Sequence, residues 1–400
     1  MSTGNGTKVA IIHDWCVIYG GAERVLEHII DCYPDADIFS LIDKVPADQR
    51  HFLRGKKVHT SFLQKIPGIE LHYRKLLGLM PYAIEQFDLS GYDLVISSSY
   101  CVAKGVLTGP NQLHVSYCHS PMRYAWDHYH EYLSEMSLGG LAGLYAKRTL
   151  HKIRDWDVRS SNTVDAFIAN SGFVQARIRK FYRRDSTIVF PPVETGIFTM
   201  NPVKSDTYVT AGRFVPFKRL DLAVDAFTAM PDRKLVVIGD GPEMARLRAK
   251  AGPNVHFPGF LPPDQVAKYL GGARAFIFPS EEDFGIVPVE AQATGTPVIA
   301  YGSGGALETV VGVNTVDRGG RPPTGVFFDQ QTPQALAHAV RYFEANAHQF
   351  DPVKISEHAS GFSAASFKER LVLEVDAARA RRAYRPRRCR RIEPLVAVNG

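Results

Sequence analysis

Cysteine is scarce in this 400-residue chain: five in all, at positions 16, 32, 101, 118 and 389. They are odd in number and scattered, and no pair has the spacing of a metal site or a redox couple. A disulfide framework is excluded, and the pattern fits a reducing compartment. Long apolar runs are missing too. No window reaches the ~18 apolar residues a membrane-spanning helix needs. The opening MSTGNGTKVAIIHDW lacks an apolar stretch of signal-peptide length. The expectation is a cytoplasmic protein, free or lying on a membrane surface. No internal repeat of solenoid length is present. A Gly-x-Gly-x-x-Gly closely following the first strand is also absent. Gly20-Gly21 come late, which counts against a nicotinamide-dependent dehydrogenase.

Acidic residues are absent from one stretch. Residues 379–391, RARRAYRPRRCRR, carry eight of the 47 Lys and Arg and account for the net charge of +6. The rest of the chain is close to neutral against its 41 acids. Such a run attracts phosphate on lipid or nucleic acid, or is simply a solvated terminus. No nucleic-acid-binding motif accompanies it, so no nucleic-acid partner is expected.

What is present is an ordinary globular composition, 45% hydrophobic and 22% charged, enough for a full core in two domains. Apolar strand patterns alternate with helical ones. The first half offers KVAII (8–12), DLVISSS (93–99), LHVSYC (113–118) and DAFIAN (165–170), with the helical AERVLEHII after Gly20-Gly21. The Pro-rich turn segment FPPVETGIFTMNPVKSD (190–206) separates the halves. The second half restarts with TYVTAGR, KLVVIGDG, NVHFPGF, RAFIFPS and TPVIAYG. Alternation of this kind predicts α/β architecture: two facing Rossmann-like parallel sheets. The predicted divisions are an N-terminal domain over 1–192, a C-terminal domain over 193–365, an amphipathic helix over 366–384 and a basic tail over 385–400. In the helix, Phe367, Leu371, Val375 and Ala378 recur at helical spacing. It is expected to cross back and pack on the first domain. Ligands bind outside the carboxyl ends of such strands, so the cleft between the sheets is the expected site.

The segment SEEDFGIVPVEAQATGTPVIA (280–300) shows the pattern most fully. AFIFPS ends a strand, Glu281–Ile286 form the loop beyond it, and Pro288 suits the first position of a helix that stops at Gly295. The amides of Phe284–Val287 then face the cleft from the positive end of a helix, a site for a diphosphate. Glu282 precedes it, and Glu290, placed in the first turn, can accept hydrogen bonds from hydroxyls. After the strand TYVTAGR, Arg213 and Lys218 stand five apart, and two cations at one strand end can clamp a diphosphate.

Glu282 and Glu290 at this spacing, the GRFVPFKR loop, the GDGP turn (239–242) and YGSGGALETV (301–310) resemble the retaining glycosyltransferases of family four, which have the GT-B fold. The resemblance covers residues 8 to about 375. It implies that Arg213 and Lys218 hold the donor diphosphate, that Glu282 contacts the donor sugar, and that Gly285 and Ile286 offer backbone amides. It places Glu290 on the nucleotide ribose and Gly21 on the loop approaching the donor from the first domain. His119, after LHVSYC, would face the sugar from the opposite side. Arg123 and Asp127 border that loop, Asp14 could face the acceptor, and Asn170-Ser171 cap the next helix. HDWxxxxGGAERV and YCHSPMRYAWD are most similar to bacterial mannosyltransferases of O-antigen and exopolysaccharide assembly. That implies GDP-mannose as donor, a polyprenyl-diphosphate-linked saccharide as acceptor, and no cofactor. A UDP-sugar donor, or a GT-B nucleotide-sugar epimerase, is the alternative.

No Asp-x-Asp metal site is required by this scheme. Asp35-x-Asp37 and Asp155-x-Asp157 do not follow apolar strands, and both are read as solvated. Residues 51–80 mix six Lys/Arg with one acid and with Phe, Leu and Tyr. That mixture suits an anionic membrane, here the inner leaflet, or a lipid diphosphate.

Overall fold

The computed structural model describes residues 6–135 and 139–383. Seven strands build the first sheet: β1 (Val9–His13), β2 (Asp37–Ser40), β3 (Val58–Thr60), β4 (Leu94–Ser99), β5 (Leu113–Cys118), β6 (Ala166–Ala169) and β7 (Ser186–Ile188). Their order is β3-β2-β1-β4-β5-β6-β7. Six more build the second: β8 (Thr207–Ala211), β9 (Lys234–Ile238), β10 (Val255–Gly259), β11 (Phe276–Phe278), β12 (Val298–Tyr301) and β13 (Gly325–Phe328), in the order β10-β9-β8-β11-β12-β13. Every pairing is parallel. Helices cover both faces, so central strands such as β1, β4 and β5 are buried along their whole length.

Each sheet has a core on either face. In the first domain Ile11, Leu26, Ile38 and Val115 fill one side, and Ala10, Ile12, Phe39 and Val95 the other. The helix Ala364–Ala383 belongs to the first of these cores. Phe367, Leu371, Val375 and Ala378 are all under 5% exposed and share a cluster with Leu26, Ile29 and Tyr117. The C-terminal helix therefore crosses back as its spacing predicts, packing on the helix Gly21–Cys32 and on β5. The two chain crossings run side by side, with Val193 N–H donating to Phe362 O at 3.0 Å.

In both sheets strand order reverses once, between β1 and β4 and between β8 and β11. The loops that leave the carboxyl ends of these strands open into the crevice where such folds bind ligands.

Four short strands, β2, β3, β7 and β13, were not among the expected ones. Of the two acidic pairs, Asp35, Asp37 and Asp155 are exposed as expected, and Asp157 is not. Asp37 accepts from Tyr92 Oη at 2.8 Å. Asp157 is fully buried. It takes hydrogen bonds from Trp126 Nε1 and Tyr182 Oη at 2.8 and 2.9 Å and pairs with Lys104. It is a neutralised core carboxylate and not a solvated one. The basic tail over 385–400 lies outside the described residues.

Candidate functional site

The cleft between the two sheets has a volume of about 400 Å³. Gly20, Gly21, Arg24, His119, Arg123 and Asn170 line it from the first domain. Phe217, Lys218, Glu282 and Phe284–Val287 line it from the second, together with Glu290. Of the expected site residues it thus joins Gly21, His119, Lys218, Glu282, Gly285, Ile286 and Glu290. The domains approach closely here: a Cβ on Gly21 would lie 3.4 Å from Ile286 Cδ1.

The helix after β11 spans Ile286–Ala293, capped by Gly285 at φ +85°. Phe284–Val287 edge the cleft, and the first turn has amides with no intrahelical acceptor. Two details differ from the sequence reading. Pro288 is the third helical residue instead of the first, which is still a position where no backbone hydrogen bond is lost. Glu290 is the fifth, so it stands in the second turn. The loop Glu281–Asp283 is held from behind. Ser280 Oγ donates to Glu282 Oε1 at 2.9 Å, and Gly305 N–H donates to Glu282 O at 2.8 Å. Gly304 (φ +63°) and Gly305 make that approach possible. A Cβ on Gly305 would stand 2.4 Å from Phe284 Cα, so any other residue would push the loop away.

The site neutralises its own charges. Lys218 Nζ lies 2.6 Å from Glu282 Oε1, and Arg24 donates to Glu290 Oε1 at 2.7 Å across the domain boundary. Burial raises the Glu290 pKa, and the Arg24 cation opposes that shift. Arg24 escaped the sequence reading although the signal was there. It sits three residues after Gly21 on the same helix, so it rides on the face that carries the glycine loop. Farther along the rim, Arg177 Nη2 contacts Asp127 Oδ2 at 2.7 Å and Arg177 also pairs with Asp283, with Arg123 3.8 Å from both acids.

Two expected residues stand apart. The Arg213 side chain is exposed and is not among the lining groups. Asp14 does not face the cleft at all. It is fully buried and accepts four backbone N–H groups, from Tyr100, Cys101, Val102 and Ala103, at 2.7, 3.0, 2.5 and 2.7 Å. Its task is to cap the turn after β4. Burial pushes its pKa up, and these amides pull against that. Ser171 caps the helix Gly172–Tyr182 by accepting from Val174 N–H, while neighbouring Asn170 edges the cleft.

His119 follows β5. Its Nε2 is 2.8 Å from Ser98 Oγ. Burial, with His13 nearby, pushes its pKa down to about 3, so the ring is neutral at pH 7.

Comparison with known proteins gives two matching families. Residues 19–196 match Glycosyltransferase Family 4, and residues 199–359 match Glycosyl transferases group 1. A curated relative is the GDP-mannose-dependent alpha-(1-6)-phosphatidylinositol dimannoside mannosyltransferase of Mycobacterium tuberculosis. It is 28% identical over 231 residues, which is 52% of this chain and 57% of that protein. The chain thus spans about half the length of the curated relatives it matches. Among solved structures, sucrose-phosphate synthase from Thermosynechococcus elongatus superposes with a TM-score of 0.67 at 17% identity, covering 94% of this chain and all of that one. Anabaena Alr3699/HepE in complex with UDP gives 0.64 at 17% identity, covering 93% and 100%. These two likenesses carry the fold alone.

Proposed function

The chain belongs to the family-four glycosyltransferases of the GT-B fold, and from that premise we propose that it transfers a hexose, mannose from GDP-mannose, to a lipid-linked saccharide with retention of configuration. The observation that carries this reading is the convergence of Lys218, the helix mouth at Phe284–Val287, Glu282, Glu290 and His119 on one cleft. A nucleotide sugar has a diphosphate, a ribose and a hexose, and the cleft offers a matching group for each. Lys218 and the helix-mouth amides take the diphosphate. Glu290 takes the ribose hydroxyls, and Glu282 and His119 take the sugar. As the bond to the anomeric carbon breaks, negative charge grows on the leaving diphosphate, and those fixed donors stabilise it there. Arg213 joins them by a change of rotamer from its exposed position. The acceptor hydroxyl then attacks from the face the diphosphate leaves, and its proton passes to the departing diphosphate oxygen.

The mannose donor is favoured by HDWxxxxGGAERV and YCHSPMRYAWD, and by the name of the Mycobacterium tuberculosis relative. The test is transfer from a panel of GDP-, UDP- and ADP-sugars into membrane extract. GDP-mannose is expected to be used best. Preference for a UDP-sugar overturns the donor, and turnover of donor alone to an epimer, with no glycoside, overturns transfer.

A surface of the first domain supports a lipid-borne acceptor. Among the described residues no helix is long and apolar enough to cross a membrane. Yet Leu71, Leu79 and Tyr82 are 76%, 46% and 60% exposed, and Leu141, Leu144 and Tyr145 are 85%, 64% and 69% exposed. The two groups adjoin, since the helix Gly140–Ser161 packs on Tyr73–Leu79. Exposed Lys65, Arg74, Lys75, Lys147 and Arg148 surround them. Apolar side chains ringed by cations suit the anionic inner face of a plasma membrane. Sedimentation with phosphatidylglycerol vesicles, but not with phosphatidylcholine vesicles, is the expected outcome. Leu141→Glu/Leu144→Glu should weaken it.

A further inference from the structure

We propose that Glu23, His13 and Ser98 are positioning residues that fix the tautomer of His119, so that its Nδ1 faces the cleft as a hydrogen-bond acceptor for a hydroxyl of the bound sugar. The choice of ligand rests on the cleft being a nucleotide-sugar site; the tautomer itself does not.

The four side chains form one line. His13 ends β1, Ser98 is its register partner on β4, and His119 stands one residue beyond β5. Glu23 comes from the first turn of the helix Gly21–Cys32. Gly20 N–H donates to Glu23 Oε2 at 3.0 Å, and Glu23 Oε1 is 3.3 Å from His13 Nε2. His13 Nδ1 is 3.1 Å from Ser98 Oγ, which is 2.8 Å from His119 Nε2. His13 and Ser98 have no exposed surface, and Glu23 has 5%. Water therefore does not rearrange the line.

The direction of each bond follows from its acid end. A carboxylate only accepts, so the His13 nitrogen facing Glu23 must carry a proton. In the proposal His13 is the neutral ring; its other nitrogen, Nδ1, then accepts, and the Ser98 hydroxyl is the donor to it. That leaves the Ser98 oxygen to accept from His119, whose Nε2 must be N–H. A neutral His119 with a proton on Nε2 has a bare Nδ1. Among the described residues Nδ1 has no hydrogen-bond partner, and His119 lines the cleft. The burial that keeps the ring neutral holds this state at pH 7. The same helix turn carries Gly21 and Arg24, so the loop that approaches the cleft also sets the polarity of His119 on the same first-domain wall.

The line also predicts how to reverse it. In Glu23→Gln the side-chain oxygen still accepts from Gly20 N–H, and the amide now donates to His13 Nε2. His13 must then protonate Nδ1 and donate to Ser98, whose hydroxyl turns to His119 Nε2. His119 becomes the Nδ1–H form and presents a donor where the sugar needs an acceptor.

The experiment is long-range ¹H–¹⁵N correlation on the ligand-free full chain with labelled histidine, His119 being assigned by its loss in His119→Asn. Wild type is expected to show Nε2–H, Glu23→Gln to show Nδ1–H, and Ser98→Ala to show a mixture. In transfer assays Glu23→Gln should lower kcat at least ten-fold while its melting curve stays cooperative. Nδ1–H in wild type, or an unchanged Nε2–H signal in Ser98→Ala, overturns the proposal, and both hold even if Glu23→Gln does not fold. Because the spectra need no substrate, failure of the glycosyl-transfer reading leaves the tautomer result standing, and the reverse is equally visible.

Discussion

At the residue scale, charge that looks functional in the sequence divides between two uses. Glu282 and Asp14 both follow a strand of a sheet facing the cleft, yet one lines it and the other is sealed by four amides. For Glu282→Ala, the sugar loses an acceptor and Lys218 loses its partner. Transfer should fall by about 100-fold or more, in the range for a group aimed at the reacting centre, read as kcat under saturating donor. Full activity would remove Glu282 from the mechanism. Asp14→Asn replaces one accepting oxygen with an NH₂ group facing amide donors. The cost is about 1–3 kcal/mol of stability, the penalty for unmet buried donors. Thermal melting should drop while KM for acceptor stays unchanged; an unshifted melt with a raised acceptor KM would return Asp14 to the substrate. Two histidines set a pH dependence. His114 and His119 are each pushed down to about 3, in both cases first by burial. In the unfolded chain a histidine binds its proton near pH 6.5. Between these values the unfolded state holds more protons, so stability falls as pH falls. The melting temperature should decline from pH 7 toward pH 4, and less steeply in His114→Gln.

At the element scale, the long apolar strands and the 280–300 segment could be read from sequence because periodicity and turn residues agree there. The C-terminal helix could be read for the same reason, and its docking is testable. Leu371 is fully buried among first-domain side chains, so Leu371→Ala should cost about 2–5 kcal/mol, measured by denaturant unfolding. A loss below 1 kcal/mol would mean the helix packs loosely. The elements that escaped notice lack that agreement. β3 and β7 have three residues each, and β7 is only half-buried. β13 follows the Gly- and Pro-rich run GGRPPT, where loop composition hides the strand start. The helix phase differs at Pro288 because the left-handed Gly285, three residues earlier, is the true cap. Arg24 was missed for a different reason. A helix-borne arginine reads as a solvated face until a partner arrives from another domain, and Glu290 is 266 residues away. Contacts of that reach depend on how the two sheets face each other, and no local spacing encodes it.

At the scale of the whole molecule, polar contacts join the two domains beside the cleft proposed to take the donor. Arg24–Glu290 and Arg177–Asp283 are two of them. A third is stronger in kind: Glu308 of the second domain accepts from Gly172 and Phe173 N–H at 2.7 and 3.0 Å, at the start of the first-domain helix Gly172–Tyr182. Here charge-assisted hydrogen bonds add to a favourable helix end. A hydrogen bond to a charged group is worth about 1.5–3 kcal/mol; Glu308 accepts two of them, whereas Arg24 gives Glu290 one. Glu308 should therefore hold the closed form more firmly than either arginine. On the proposed reading a ribose at Glu290 would compete with Arg24, so that donor entry loosens one clasp and leaves Glu308 to keep the domains together. Glu308→Ala should then raise the radius of gyration of the ligand-free protein in small-angle scattering and increase KM for the donor, with the melting of each domain little changed. Arg24→Ala should show the opposite balance: a small change in shape, and a Glu290 freed to meet the ribose. An unchanged scattering profile in Glu308→Ala would assign closure to the paired crossings at Val193 and Phe362 and to the docked C-terminal helix.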